Sequence, residues 1–190
     1  MNSFDPVKHE YTVGGRRVPS VTQIIGEVLP DSTFHAGEWY LQRGRAVHAC
    51  AAMIAQGKTI RHDPAIDGQV QACRRFFWAS RPEVLEVEQQ VYNTTYNYAG
   101  TFDLMAVIQG KTVILDWKSS ASPAAEIQIG AYALCRPKAR YGMVVELHED
   151  GSCKCSEMFK TERGKREFLA VRSVYSIRER LGLLKGKSNE

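Results

Sequence analysis

The sequence has no uninterrupted apolar run that approaches the about 20 residues of a membrane-spanning helix. Its first residues lack the charged and apolar segments of a secretion leader. There is also no internal repeat, linker or low-complexity tract. These absences predict a cytoplasmic protein that binds no membrane and folds as a single domain over residues 1–190.

Cysteine is sparse, with five residues in a chain of 190. An odd number of scattered cysteines suits reduced thiols in a reducing compartment. A chain of this length with 44% hydrophobic residues buries a sizeable core without disulfides or structural metals. Cys50 and Cys73 fall on apolar helix faces, where we expect them to be small buried hydrophobic residues.

Excess charge is small as well: 25 Lys and Arg against 21 Asp and Glu give a net charge of +4. That value does not identify a nucleic-acid partner by itself. From residue 160 onward, however, there are nine basic residues and only four acidic ones. Arg163, Lys165 and Arg166 in this predicted helix either neutralise DNA phosphates or form a solvated face, and the sequence leaves both readings open.

One β-hairpin is the most informative feature that is present. Two runs rich in β-branched and apolar residues flank Gln109-Gly110, which suits a two-residue turn. In this register Ile108 pairs with Lys111, and continuing the ladder pairs Phe102 with Trp117. Both faces of the hairpin are largely apolar, as expected of central strands that are covered on two sides.

The same register brings three charged side chains together. Asp103 is expected opposite Asp116, and Lys118 shares the face of Asp116 because strand side chains alternate. Two like charges opposite each other are unfavourable. A divalent cation between them would offset the repulsion, and hard oxygen ligands favour Mg²⁺ or Mn²⁺, as one or two ions.

Four short motifs in order carry a family resemblance. Gly100-Thr101-Phe102-Asp103 followed by Ile114-Leu115-Asp116-Trp117-Lys118 resembles the active-site signature of the PD-(D/E)XK nuclease superfamily. Gln128-Ile129-Gly130-Ala131-Tyr132 resembles the Gln-xxx-Tyr motif of its RecB-like branch, and Arg43-Gly44-Arg45-Ala46-Val47-His48 resembles its Gly-xxx-His element. Val18-Pro19-Ser20-Val21-Thr22 is similar to the start of mitochondrial genome maintenance exonucleases and small phage exonucleases.

The resemblance implies a fold that the predicted elements match. It implies an α/β, restriction-endonuclease-like fold with an αβββαβ core, a central mixed sheet flanked by helices. The catalytic core covers about residues 84–160, with extra helices before it and the basic helix after it. The sequence independently predicts helices at 20–30, 36–56, 64–81 and 123–135, and strands at 11–18, 84–93, 97–108, 111–118, 141–148 and 153–159.

The resemblance also implies a metal site. Asp103 and Asp116 would hold the ion through carboxylate oxygens, with the backbone carbonyl of Trp117 as a further ligand. His48 would be another ligand, which in this family tends to accompany exonuclease behaviour. Glu88, expected on the same strand face as its neighbours Glu86 and Gln90, would hold the ion through water or else be a strand-edge charge. Some relatives carry an iron-sulfur cluster, but Cys153-x-Cys155 is too tight for it, so none is expected.

The remaining site residues concern solvent and substrate. Lys118 would hold the attacking water and stabilise charge on the phosphate. Gln128 and Tyr132 lie four residues apart on one helix face. By resemblance, Gln128 would contact the metal-bound water or a nucleotide and Tyr132 would support the Lys118 side of the site; otherwise they are a surface glutamine and a core tyrosine. Arg43 and Arg45 are expected to contact DNA because they adjoin the proposed site. Three nearby aromatic residues stack bases or pack in the core, with core packing favoured: Phe34, Trp39 and Tyr40.

The function expected from these motifs is that of a metal-dependent DNA exonuclease. It would hydrolyse phosphodiester bonds at DNA ends or in single strands and leave 5′-phosphates, in phage-type replication or recombination. Two alternatives stay open. One is a structure-specific or restriction-like endonuclease on the same core, and the other is a non-catalytic DNA-binding accessory protein in recombination.

Overall fold

A small antiparallel sheet begins the chain. The computed structural model describes residues 2–5, 10–30, 38–120 and 122–184. The predicted strand pair near residues 11 to 18 is confirmed, because two strands there meet at Gly14 and Gly15, both with positive φ. A third short strand extends the pair. The strands are β1 (Ser3–Asp5), β2 (Glu10–Val13) and β3 (Arg16–Val18).

Three helices follow. The side chain of Ser20 accepts from the backbone N–H of Gln23, and the side chain of Gln23 accepts from the backbone N–H of Ser20. This capping box was predicted, and it satisfies two N–H groups that the first helical turn leaves unpaired. The helices are α1 (Val21–Val28), α2 (Glu38–Ala55) and α3 (Asp67–Ser80), the last preceded by a 3₁₀ turn (Pro64–Ile66).

A mixed sheet forms the centre, with strand order β4-β5-β6-β7-β8 and β9 also paired to β7. Only the β6–β7 pair is parallel, and the connection between these strands contains α4. The predicted αβββαβ core is thereby confirmed, except that the last predicted strand is two short ones, β8 and β9. The strands are β4 (Glu83–Asn93), β5 (Tyr98–Ile108), β6 (Lys111–Lys118), β7 (Tyr141–Leu147), β8 (Cys153–Cys155) and β9 (Phe159–Lys160).

Helices cover both faces of this sheet. On one face, α2 and α3 bury Cys50 and Cys73 against the strands, as the sequence predicted. On the other face, α1, α4 (Ala125–Cys135) and α5 (Glu162–Arg180) pack around Ile114 and Phe168. Among the described residues, no helix is both long and apolar enough to cross a bilayer.

The β5–β6 ladder ends earlier than the sequence suggests. The predicted register is confirmed from Ile108–Lys111 to Leu104–Leu115, where the regular pairing stops. The predicted pairing of Phe102 with Trp117 is wrong, because Phe102 packs with α4 on one side of the sheet and Trp117 packs with α3 on the other. The strands therefore separate at Asp103 and leave its side chain room to reach the backbone of β6.

Candidate active site

A cavity of about 830 Å³ opens where β5 and β6 separate. Side chains from α1, α2, β4, β5, β6 and α4 line it. It contains every residue that the motifs singled out for metal binding or catalysis: His48, Glu88, Asp103, Asp116, Trp117, Lys118, Gln128 and Tyr132. Segments far apart in sequence thus meet at one edge of the sheet.

Asp103 lies at the base of this cavity and joins two elements. Its Oδ2 accepts a hydrogen bond of 2.8 Å from the backbone N–H of Trp117, and its Oδ1 lies 3.1 Å from His48 Nδ1. Burial opposes ionisation of this carboxyl, but His48, the Trp117 N–H and Lys118 outweigh burial and lower its pKa. Asp103 is therefore a carboxylate fixed between α2 and β6.

His48 and Glu88 complete a group of three potential ligands. One donor atom from each of His48, Glu88 and Asp103 lies within 4.8 Å of the other two. Burial disfavours the charged imidazole, but the Asp103, Asp116 and Glu88 carboxylates raise the pKa of His48 to about 9. Glu88 is exposed at the surface, but desolvation on its cavity side and the neighbouring Asp103 raise its pKa to about 7. The metal-free group therefore retains protons that a cation would displace.

The backbone at Glu88 is unusual. Its φ is +46°, in the left-handed region that side chains other than glycine rarely adopt. The β4–β5 pairing is irregular near this point, with a register shift between Val84 and Glu86. Glu86, two residues earlier, pairs with Arg136 near the end of α4. The irregular backbone aims Glu88 at Asp103 and His48.

A second set of contacts centres on Asp116. Lys118 Nζ lies 2.8 Å from its Oδ2, and the Gln128 amide donates to its Oδ1 at 3.1 Å. Gln128 also accepts from Lys118 Nζ at 3.2 Å, and its amide lies 3.4 Å from the Tyr132 hydroxyl. Gln128 therefore holds the carboxylate and the ammonium in fixed relation from the first turns of α4.

Electrostatics make Lys118 a cation. Burial opposes its charge, yet Asp116 and Asp103 outweigh burial and raise its pKa. Burial raises the pKa of Asp116, with the nearby Asp103 adding to the effect. Burial likewise raises the pKa of Tyr132 well above its usual value. At neutral pH, the Lys118 side chain is therefore a positively charged hydrogen-bond donor, and the Tyr132 hydroxyl is neutral.

The donor set fits a divalent cation. Octahedral ligands about 2.1 Å from an ion lie about 3.0 Å from their neighbours, and His48 Nδ1 is 3.1 Å from Asp103 Oδ1. Asp116 Oδ2 is buried, and apart from the Lys118 ion pair it has no well-aligned hydrogen-bond donor among the described residues. Because one imidazole accompanies the carboxylates, this ligand set suits Mn²⁺ better than Mg²⁺.

The basic residues that were predicted to contact DNA fall into two groups, one that lines the cavity and one that does not. Arg43 and Arg45 line the cavity, but Arg43 is held by Glu149 and by the Ala65 carbonyl. The residues on α5 are not among those that line the cavity, and two of them are in ion pairs with glutamates on their own helix. These α5 residues are Arg163, Lys165 and Arg166.

Three cavity residues were given no individual role by the sequence motifs. The Tyr11 hydroxyl lies 2.9 Å from Thr101 Oγ1 on the cavity wall. Thr101 precedes Asp103 by two positions, so strand alternation was a signal for it. A Cβ on Gly100 would lie 2.8 Å from Tyr132 Cε1, so this glycine makes room for the tyrosine ring. No sequence signal tied the remote Tyr11 to this wall.

Comparisons with known proteins find similarity in structure alone. No protein-family model matches the chain, and neither does any curated protein sequence. The structure of LHK-Exo in complex with dAMP is similar over 87% of this chain and 89% of that one, with 12% identity and a TM-score of 0.50. Another structure of LHK-Exo, an alkaline exonuclease from Laribacter hongkongensis, covers 86% and 92% with 12% identity and a TM-score of 0.41.

Proposed function

We propose that this chain is a metal-dependent DNA exonuclease of the PD-(D/E)XK superfamily, RecB-like branch. The observation that carries the proposal is the convergence of His48, Glu88 and Asp103 beside the Asp116–Lys118 ion pair. The structural similarity to LHK-Exo supports this reading, because LHK-Exo is an alkaline exonuclease and its structure was determined in complex with dAMP. The phage-type motifs favour a role in DNA replication or recombination in the cytoplasm.

Four side chains and one carbonyl are proposed to hold the ion. They are His48, Glu88, Asp103 and Asp116, together with the Trp117 carbonyl. When bound by these groups, a divalent ion would act as a Lewis acid on a phosphate oxygen and would lower the pKa of a bound water. Mg²⁺ or Mn²⁺, as one or two ions, fits the carboxylates, and the imidazole favours Mn²⁺.

The chain's own groups then orient the reacting atoms. Lys118 remains an ammonium, so it donates to the attacking water or to the phosphate and stabilises negative charge there. Gln128 fixes Lys118 against Asp116, and Tyr132 supports Gln128. Because the ammonium is already paired and oriented, little reorganisation is needed when charge develops on the phosphate. Hydrolysis leaves a 5′-phosphate and a 3′-hydroxyl.

A comparison of linear and circular DNA tests this function. With Mn²⁺ present, the purified protein is expected to degrade an end-labelled linear single strand to short products. A closed circular single strand of the same sequence should stay intact, because it offers no end. Cleavage of the circle would show an endonuclease, and cleavage of neither DNA would favour the non-catalytic accessory role.

Metal affinity should rise with pH. Bound metal requires neutral His48 and ionised Glu88, whose pKa values in the metal-free protein are about 9 and about 7. We expect the apparent Mn²⁺ affinity to rise up to about tenfold per pH unit between pH 7 and 9, and more steeply below pH 7. Titration calorimetry of the metal-free protein measures this dependence.

The His48→Gln variant is the control for the pH prediction. It should bind Mn²⁺ more weakly, and below pH 7 its affinity should rise with about half the slope of wild type, because only the Glu88 proton remains to be displaced. In metal-free wild type, the stabilisation from charged His48 is complete below pH 6.5 and disappears as the pH rises through about 9. An affinity that is flat from pH 7 to 9 in the wild type would contradict His48 as a ligand.

A further inference from the structure

An open gap lies over Gly44 on the cavity side of α2. Eight residues of this helix line the cavity: Tyr40, Leu41, Arg43, Gly44, Arg45, Val47, His48 and Ala49. Three of them, Tyr40, Gly44 and His48, recur every four positions and so lie along one face. Gly44 is therefore one helical turn from His48 and one turn from Tyr40, about 6 Å in each direction. It separates the metal-binding end of this face from its aromatic end.

Among the described residues, no packing contact requires glycine at this position. A Cβ built on Gly44 would have nothing within 4 Å apart from its chain neighbours and the backbone of its own helix, and its φ is not in the left-handed region. Glycine in a helix interior is less favourable than alanine, because it has more backbone freedom to lose. By contrast, Gly130 and Gly164 allow α4 and α5 to touch. In the described part of the chain, Gly44 therefore leaves open the space that a side chain would occupy.

The residues on either side of the gap suit a single nucleic-acid strand. Trp39 and Tyr40 are each 58% exposed and Leu41 is 50% exposed, so the prediction that the two aromatic residues pack in the core is wrong. Phe34, the third aromatic residue of that prediction, lies outside the described residues. Exposed aromatic rings provide stacking surfaces for unpaired bases. Arg45 is exposed beside the gap and has no ion-pair partner among the described residues.

Resting on the proposed function, we propose that Gly44 forms the floor of a subsite for one DNA strand. The strand's sugar-phosphate backbone crosses the bare helix backbone at Gly44, and Arg45 neutralises one of its phosphates. The next base stacks on Tyr40, about two helical turns from His48. The 6 Å on either side of Gly44 accommodates about two stacked nucleotides, since these advance about 3.4 Å along a strand. The subsite therefore takes an unpaired DNA strand.

The Gly44→Ala variant separates this role from a structural one. Alanine is the better helix former and meets no neighbour, so the melting temperature should rise by about 2–4 °C. Mn²⁺ affinity should stay within about twofold of wild type, because no ligand changes. Nevertheless, kcat/KM for a linear single strand should fall at least about tenfold, and further in Gly44→Val. The signature is a more stable protein that binds metal and cleaves poorly.

Two more variants define the subsite. Ala46→Gly is the matched control on the same helix: it should lower the melting temperature by a similar amount and leave cleavage unchanged, because Ala46 is exposed and does not line the cavity. Tyr40→Ala should raise KM for a single strand several-fold, whereas Tyr40→Phe should not, because stacking needs only the ring.

The outcomes distinguish this inference from the proposed function. If wild type degrades single strands and Gly44→Ala degrades them equally well, the subsite is wrong and the nuclease assignment stands. If Gly44→Ala melts at a lower temperature or loses Mn²⁺ affinity, the glycine is structural and the subsite is also wrong. If wild type cleaves no DNA under any metal condition, the proposed function itself fails.

Discussion

Replacing Asp116 by asparagine should lower DNA cleavage by about a thousandfold or more while the protein stays folded. The carboxylate is proposed to hold the ion, and its Oδ2 lies 2.8 Å from Lys118 Nζ. The substitution would therefore remove a metal ligand and the ion pair that positions Lys118. Burial and Asp103 already disfavour the charge of Asp116, and asparagine keeps the shape and the oxygen that accepts from Gln128. Cleavage of a labelled single strand and thermal unfolding of the metal-free variant measure the two effects.

Asp150→Asn is the matched control for this experiment. Asp150 is exposed on the turn between β7 and β8, where its carboxylate accepts a hydrogen bond from the backbone N–H of Ser152. It does not line the cavity. The same chemical change there should leave cleavage within about twofold of wild type. Wild-type turnover by Asp116→Asn would contradict the proposed metal site, and loss of its cooperative unfolding would mean that the carboxylate is needed for folding instead.

The second large effect concerns stability, at the crossing of α4 and α5. A Cβ on Gly130 would lie 2.1 Å from the backbone carbon of Gly164, and one on Gly164 would lie 2.1 Å from the Glu126 carbonyl oxygen. Backbone atoms cannot turn aside as a side chain can, so the helices must separate. We expect Gly130→Ala to destabilise the protein by about 3 kcal/mol, lowering the melting temperature by about 6–12 °C.

Comparison with Gly44→Ala isolates the cause of this loss. Both glycines lie inside helices and both changes improve helix propensity, but only Gly130 faces another backbone. The two melting temperatures should therefore move in opposite directions. A Gly130→Ala protein as stable as wild type would show that the α4–α5 contact is looser than described. Any accompanying loss of activity is attributed to Gln128 and Tyr132, which α4 carries.

The sequence was sufficient for the elements and for the hairpin register from Ile108–Lys111 to Leu104–Leu115, but the ladder stops before Asp103 and Asp116. Periodicity, the Ser20–Gln23 capping box and the turn at Gln109-Gly110 predicted helices and strands close to those observed, because these signals are local. Predictions from local sequence were wrong where contacts with other elements decided the position of a side chain. Phe102 left the regular hairpin to contact Tyr132, and Trp39 is exposed instead of packing in the core.

By itself, the sequence determined the order of strands and helices, the hairpin register up to Leu104 and the motif resemblance. Only the tertiary structure decided that His48 and Glu88 reach Asp103, that Lys118 is held as a cation, and that Gly44 faces open space. The physical reason is that these features depend on contacts between segments far apart in sequence, and on a left-handed backbone at Glu88. Burial and neighbouring charge set their chemistry, and neither is encoded in a local pattern.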